Sequence, residues 1–293
     1  MPTAEDSDDS DGGLVASVRP VLESILLDYP GGQLLEEALQ NAEDQGAASF
    51  SLMLDLRQHA GVLDPMSGPA FVLVDSGSGF GRAEWRSLRH LHDSGKKENP
   101  ASIGQFGMGS RSYFHYSDLI QVFSNKEYVG LDPLRRVVRS GRRSDSWHTR
   151  PDAAERRLDL EAEAKALFFD DMPAELRPDQ GAAFRLPLRR AQDVATGLGP
   201  AYPATAADDF VRKWVASLSD GRLLPFLSHL KRVSRRIYRR GFKDLEFCVI
   251  SALVYAHLWG KGQVYLGLRV YPVFIRNPPL AFGLIMNSTA GSP

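Results

Sequence analysis

Between residues 33 and 46 the apolar side chains Leu34, Leu35, Ala38, Leu39 and Ala42 recur at the spacing of one helical face. The pattern predicts a helix over 33–46, with another over 14–28 ahead of it. The period then changes. Residues 49–55 (SFSLMLD) and 71–75 (FVLVD) are short apolar runs bounded by polar or glycine-rich stretches, which read as strands. Further on, the pattern predicts helix 82–91, helix 107–116, strand 118–124, strand 183–188 and helix 206–219, with residues 223–233 completing the unit. Residues 92–106 are polar and punctuated by Gly95 and Gly104. They read as a lid held by little apolar contact.

Three of these elements carry chemistry. On the 33–46 helix, Glu37, Asn41 and Asp44 stand at i, i+4 and i+7, one polar stripe opposite the apolar face. Asn41 offers a neutral oxygen, suited to a Mg²⁺ ion that keeps waters and borrows phosphate oxygens. Glu37, one turn away, is placed to polarise a water for attack on a terminal phosphate. The second element, DSGSGFG at 75–81, puts Asp75 at the end of a buried strand, where its carboxylate can accept a hydrogen bond from an exocyclic amine such as that of adenine. Gly77 and Gly79 then let the backbone approach a flat ring. In the third, IGQFGMGS at 103–110, Gly104, Gly107 and Gly109 precede a helical stretch, and unpaired N–H groups at such a point favour phosphate. Lys96, in the lid, is within reach of the same phosphates. This glycine set is neither a Walker A loop, since no Gly-Lys-Ser/Thr follows, nor a dinucleotide fingerprint, since no apolar strand leads directly into it. Taken singly, each element is a loose pattern that an ordinary surface helix or loop would also satisfy.

Together and in this order the three resemble the GHKL ATPase superfamily, and the wording around them is similar to its sacsin subgroup. The similarity extends to residues 24–47, 91–119, GAAFRLPLR at 181–189 and LLPFLSHLKRV at 223–233. It implies a Bergerat-type fold: a two-layer α/β sandwich with a mixed, mostly antiparallel sheet covered by helices on one face. It also implies ATP or ADP with Mg²⁺ as ligands. Glu37 would be the catalytic glutamate and Asn41 the metal ligand. Asp44 would lie along the pocket. Asp75 would read adenine, with Gly77 and Gly79 shaping its slot. Lys96, Gly104, Gly107 and Gly109 would hold phosphates. One departure stands out. Ala182 follows Gly181 where related chaperones place a threonine that helps hold adenine. Two readings follow from the resemblance: a chaperone-like module with slow ATP hydrolysis, acting on client or co-chaperone proteins, or a degenerate module kept as an interaction scaffold.

Composition changes this picture little. Of 293 residues, 43 % are apolar, enough for a real core. The net charge of −1 argues against nucleic acid as a partner of the chain as a whole. Cys248 is the single cysteine, so no internal disulfide forms and a reducing, cytoplasmic setting is expected. The start, residues 1–13, is acidic and lacks the apolar core of a signal peptide; it is expected to be a disordered tail. Residues 14–233 are read as the ATP-binding domain, and 234–293 as an extension or the beginning of a further domain. Residues 245–259 are apolar but too short for a membrane span and read as buried strand or helix. Two basic runs, 135–157 and 231–240, read as a solvated insertion and a solvated helix end.

Overall fold

The computed structural model describes residues 18–28, 34–90, 109–150, 157–172, 176–219, 229–230, 232–238, 247–250, 253–259, 263–269 and 272–275. Helices α1 (Val18–Asp28) and α2 (Leu34–Asp44) lead into strands β1 (Ser49–Asp55) and β2 (Ala70–Asp75), then helix α3 (Arg82–His90). A 3₁₀ helix, Gly109–His115, stands where the sequence pattern predicts residues 107–116 to be helical. Strands β3 (Ile120–Ser124), β4 (Glu127–Leu131), β5 (Val138–Arg139), β6 (Arg142–Arg143) and β7 (Ser146–Thr149) follow. Helix α4 (Leu158–Phe168), β8 (Ala182–Pro187), helix α5 (Ala204–Ser219) and β9 (Arg232–Tyr238) come next, and β10 (Phe247–Ile250), β11 (Leu253–Trp259), β12 (Gln263–Arg269) and β13 (Pro272–Ile275) end the described chain.

Nine strands form one sheet in the order β13-β10-β9-β1-β2-β8-β3-β4-β7. Neighbours are antiparallel except β1 and β9, which run parallel with Phe50 opposite Val233. The mixed, mostly antiparallel α/β sandwich expected from the sequence is what is observed. Strands β10 and β13, beyond residue 234, continue this same sheet, while β11 and β12 pair with each other as a separate hairpin.

Alternation along the strands divides the core into two layers. Phe50, Leu52 and Leu54 of β1 join Phe71, Leu73, Phe184 and Leu186 in packing against α1, α2, α3, α5 and the 3₁₀ helix. Met53, Val72, Val74 and Ala183 point the other way and meet Leu160, Ala164, Leu167 and Phe168 of α4. So helix α4, which the sequence reading did not include, covers part of the sheet's second face. That face also encloses charge. Arg185 of β8 is fully buried and donates to the carbonyls of Met66 (2.5 Å) and Gly68 (2.6 Å) and to Gln121 Oε1 (3.0 Å). Burial pulls its guanidinium down to about 10. Nearby, Asp55 accepts from Arg57 Nε at 2.7 Å and Nη2 at 2.9 Å, and pairs with His59 at 2.9 Å. Burial alone would raise the Asp55 carboxyl, but these bonds and the Arg185 charge hold it well below the usual range.

The basic run at 135–157 is not a solvated loop. Its described part forms β5, β6 and β7, and two of its arginines, Arg136 and Arg139, turn inward while Arg135, Arg143 and Arg150 stay exposed. Arg136 bridges Asp118 and Asp193. Arg139 pairs with Glu163 at 2.5 Å and lies 4.3 Å over the Trp147 ring. In the second basic run, Arg232–Tyr238 form strand β9 rather than a helix end.

Candidate functional site

Helix α2 is held by its apolar side: Leu34, Leu35, Ala38, Leu39 and Ala42 are buried. Its last turn is tied down by Glu43, a residue the sequence reading passed over. The Glu43 carboxylate accepts the backbone N–H groups of His229 (2.6 Å) and Leu230 (2.9 Å) and meets His229 Nδ1 at 2.9 Å. This joins the helix to the segment that enters β9.

Strand β2 delivers Asp75 to the edge of the same layer. The loop after it is bound to the end of α2: Ser78 donates to Gln45 Oε1 at 2.7 Å, and Ser76 Oγ accepts the N–H groups of Ala48 and Ser49. Glycine is required here for space. A Cβ on Gly77 would lie 2.7 Å from Gln45 Cβ. One on Gly79, at φ +72°, would lie 2.8 Å from Ser124 Oγ and 2.9 Å from the Gly181 carbonyl. Ser124 closes this knot by donating to the Gly181 carbonyl at 2.6 Å and accepting from Phe80 N–H at 2.8 Å.

Asp75 is the electrostatic oddity of the region. Part of the residue reaches the surface, but its carboxylate is largely desolvated, and this pushes its pKa up to about 6. The backbone N–H groups of Gly77 (2.8 Å) and Ala182 partly offset that rise. Among the described residues no cation pairs with it.

A small cavity lies between α2 and the sheet, walled by Ala38, Asn41, Gln45, Phe50, Leu73, Asp75, Phe80, Tyr113 and Phe184. It is narrow, with free room for about one water. Ala38 and Asn41 of α2 face it, together with Gln45 of the turn that follows. Asp44 is exposed and does not line the cavity, because the helix is rolled so that its neighbour Gln45 takes the inward position. Tyr113, on the 3₁₀ helix, is also new. Its hydroxyl is hydrogen-bonded with Asn41, and burial first, then the charges of Glu37 and Asp75, pushes its pKa far up. One tyrosine therefore bonds Asn41 of α2 and feels the charges of Glu37 on the same helix and of Asp75 at the end of β2. Arg189 fixes the helix that carries it: the guanidinium donates to the carbonyls of Phe114 (2.7 Å), His115 (3.0 Å) and Pro200 (3.1 Å) and to Asp118 (2.7 Å). Gly109 begins that helix. Lys96, Gly104 and Gly107 lie outside the described residues.

This arrangement, a polar stripe on a helix beside a strand-end carboxylate and a glycine turn, lies within residues 17–249, which match the model of the sacsin domain. The chain belongs to the sacsin-domain family. Sacsin of Homo sapiens is 30 % identical to it over 155 residues, which cover 49 % of this chain and 3 % of sacsin. The chain thus spans a small part of that relative's length. The sacsin-domain match takes in α2, β2, the 3₁₀ helix and β8, so every described residue of the site falls inside it. Among the described residues, no group of three or more His, Cys, Asp and Glu is placed to hold a metal. No helix among them is long and apolar enough to cross a membrane.

Proposed function

We propose that this sacsin domain is an adenine-nucleotide-binding module that hydrolyses ATP slowly and couples nucleotide state to contacts with client or co-chaperone proteins. The observation that carries the reading is the desolvated Asp75 carboxylate, unpaired with any described cation, in an aromatic-walled cavity shared with Asn41. A carboxylate so placed suits a neutral N–H donor on a flat apolar ring. Asp75 would accept from the exocyclic amine of adenine, with Phe80 and Phe184 against the ring and Gly77 and Gly79 keeping the backbone low. Asn41 would give its oxygen to Mg²⁺, which needs few protein ligands when phosphate and water supply the others. Glu37, one turn away, would hold a water in line with the terminal phosphate. Bound ATP would supply the phosphoanhydride bond that is broken. Gly109, Gly104, Gly107 and Lys96 would contact phosphate, while the exposed Asp44 would act on the pocket only at long range. The donor and acceptor set fits the base. The free volume fits it only after a wall has moved.

That closed volume favours a second reading, a scaffold that binds proteins without turnover. Titrating the full chain with ATP by calorimetry, with and without Mg²⁺, separates the two. The nucleotide reading expects Mg²⁺ to tighten ATP binding in the wild type but not in Asn41→Ala. Absence of heat at millimolar ATP leaves the scaffold.

A further inference from the structure

We propose that Tyr113 is a plug seated where the base would lie, so that this chain accepts an adenine ring only when the Tyr113 side chain leaves the slot. The proposal rests on the nucleotide reading above and adds to it a residue that decides access. The side chain is 1 % exposed. Its ring stands edge-on to Phe184 at 5.5 Å, and Phe184 is itself a wall of the cavity. Its hydroxyl occupies Asn41, the proposed metal ligand, and lies close to the charges of Glu37 and Asp75. The polar groups Asn41, Gln45 and Asp75 converge on a space that holds about one water. Such convergence is what a ligand slot needs, yet no organic ring fits beside the tyrosine. Tyr113 thus fills the slot with an aromatic ring where the base would lie, while its O–H is spent on Asn41 and leaves the Asp75 carboxylate without a side-chain donor from it. Arg189 holds the backbone of the 3₁₀ helix through the carbonyls of Phe114 and His115, so the slot opens by rotation of the Tyr113 side chain rather than by movement of the segment. Plug and ligand would then compete, and the apparent affinity would fall by the fraction of molecules with the slot open.

Free adenine is the probe, since it needs neither metal nor phosphate contacts, and hypoxanthine, which lacks the exocyclic amine, is its control. Folding of each variant is checked by thermal melting. Tyr113→Val should bind adenine about tenfold tighter than wild type or better, as expected if the open form is at most about one molecule in ten. It should prefer adenine to hypoxanthine, and adding Asp75→Asn should erase the gain. Tyr113→Phe keeps the ring and should bind adenine within about twofold of wild type. If Tyr113→Val does not fold, Tyr113→Leu carries the same test with a smaller loss of volume. A folded Val or Leu variant that binds adenine no tighter than wild type overturns the plug. So does ATP binding that is equally tight in wild type and variant, and that result leaves the nucleotide reading intact. Adenine binding by the opened variant with no ATP binding has the opposite meaning: the plug stands and the nucleotide reading falls.

Discussion

Replacing Asp75 by Asn should stabilise the protein and weaken its grip on adenine at the same time. The exchange is nearly isosteric, and an amide oxygen can still accept from Gly77 N–H, now 2.8 Å from Oδ1. What disappears is the ionisation. Burial raises the carboxyl from 3.8 to about 6, a shift of roughly 2 units, each worth about 1.4 kcal/mol. An acid with a raised folded pKa holds its proton in the native state while the unfolded chain has released it. Stability therefore falls as pH rises from about 4 to about 6 and then levels off. At neutral pH the charge costs the fold up to about 3 kcal/mol, less whatever surface solvent screens. In urea denaturation at pH 7.5, Asp75→Asn should exceed wild type by about 2 kcal/mol, with the gap closing towards pH 4. Adenine-nucleotide affinity should move the other way, weaker by about 1–3 kcal/mol for loss of a charged hydrogen bond. Wild-type affinity should itself fall as pH drops through about 6. A variant less stable than wild type at pH 7.5, or a gap independent of pH, would refute the account of a desolvated, unpaired carboxylate.

On the sheet's other face the sign reverses. Asp55→Asn leaves Arg57, His59 and Arg185 without their shared anion, and should destabilise by about 3–5 kcal/mol at pH 7 in the same assay. In the wild type this contribution is present above about 4 and is lost as acid titrates the depressed carboxyl; a loss under 1 kcal/mol at pH 7 would count against the cluster. Gly181→Ala would put a Cβ 2.2 Å from the Asp75 carbonyl at φ +82°, and should cost about 2 kcal/mol or more, read as a lowered melting temperature; an unchanged melt contradicts the packing. Glu37→Gln should keep ATP binding and lower single-turnover phosphate release by about 10²–10⁴-fold. Release equal to wild type would remove Glu37 as the water-holding residue.

Helix α2 and strands β1 and β2 were legible because their signal is local: a 3.6-residue period, then short apolar runs ending at polar turns. The same signal is present in α4, where Leu160, Ala164, Leu167 and Phe168 fall on one face, but it is masked by the basic run beside it, whose charge reads as a solvated insertion. Charge is a poor guide to exposure there, since Arg136 and Arg139 find carboxylates contributed by the segment before β3, by α4 and by the segment after β8, and such partners are invisible until distant segments meet. The polar stripe of α2 was visible in the chain, but its roll was not. Whether Asp44 or Gln45 faces inward depends on how Ala38, Leu39 and Ala42 seat against the sheet. Asp75 could be named from a strand end and two glycines. That its carboxylate is desolvated depends on Ala182 and Gly181 arriving from β8 more than a hundred residues later. Tyr113 had no signal beyond its place after a glycine box. Its role comes from the packing of the 3₁₀ helix, pinned by Arg189, against α2 and Phe184. Periodicity along the chain determined the elements and the residue types of the site. The pairing of remote strands decided which of those residues share one cavity, because that choice lies in long-range contacts that no local window contains.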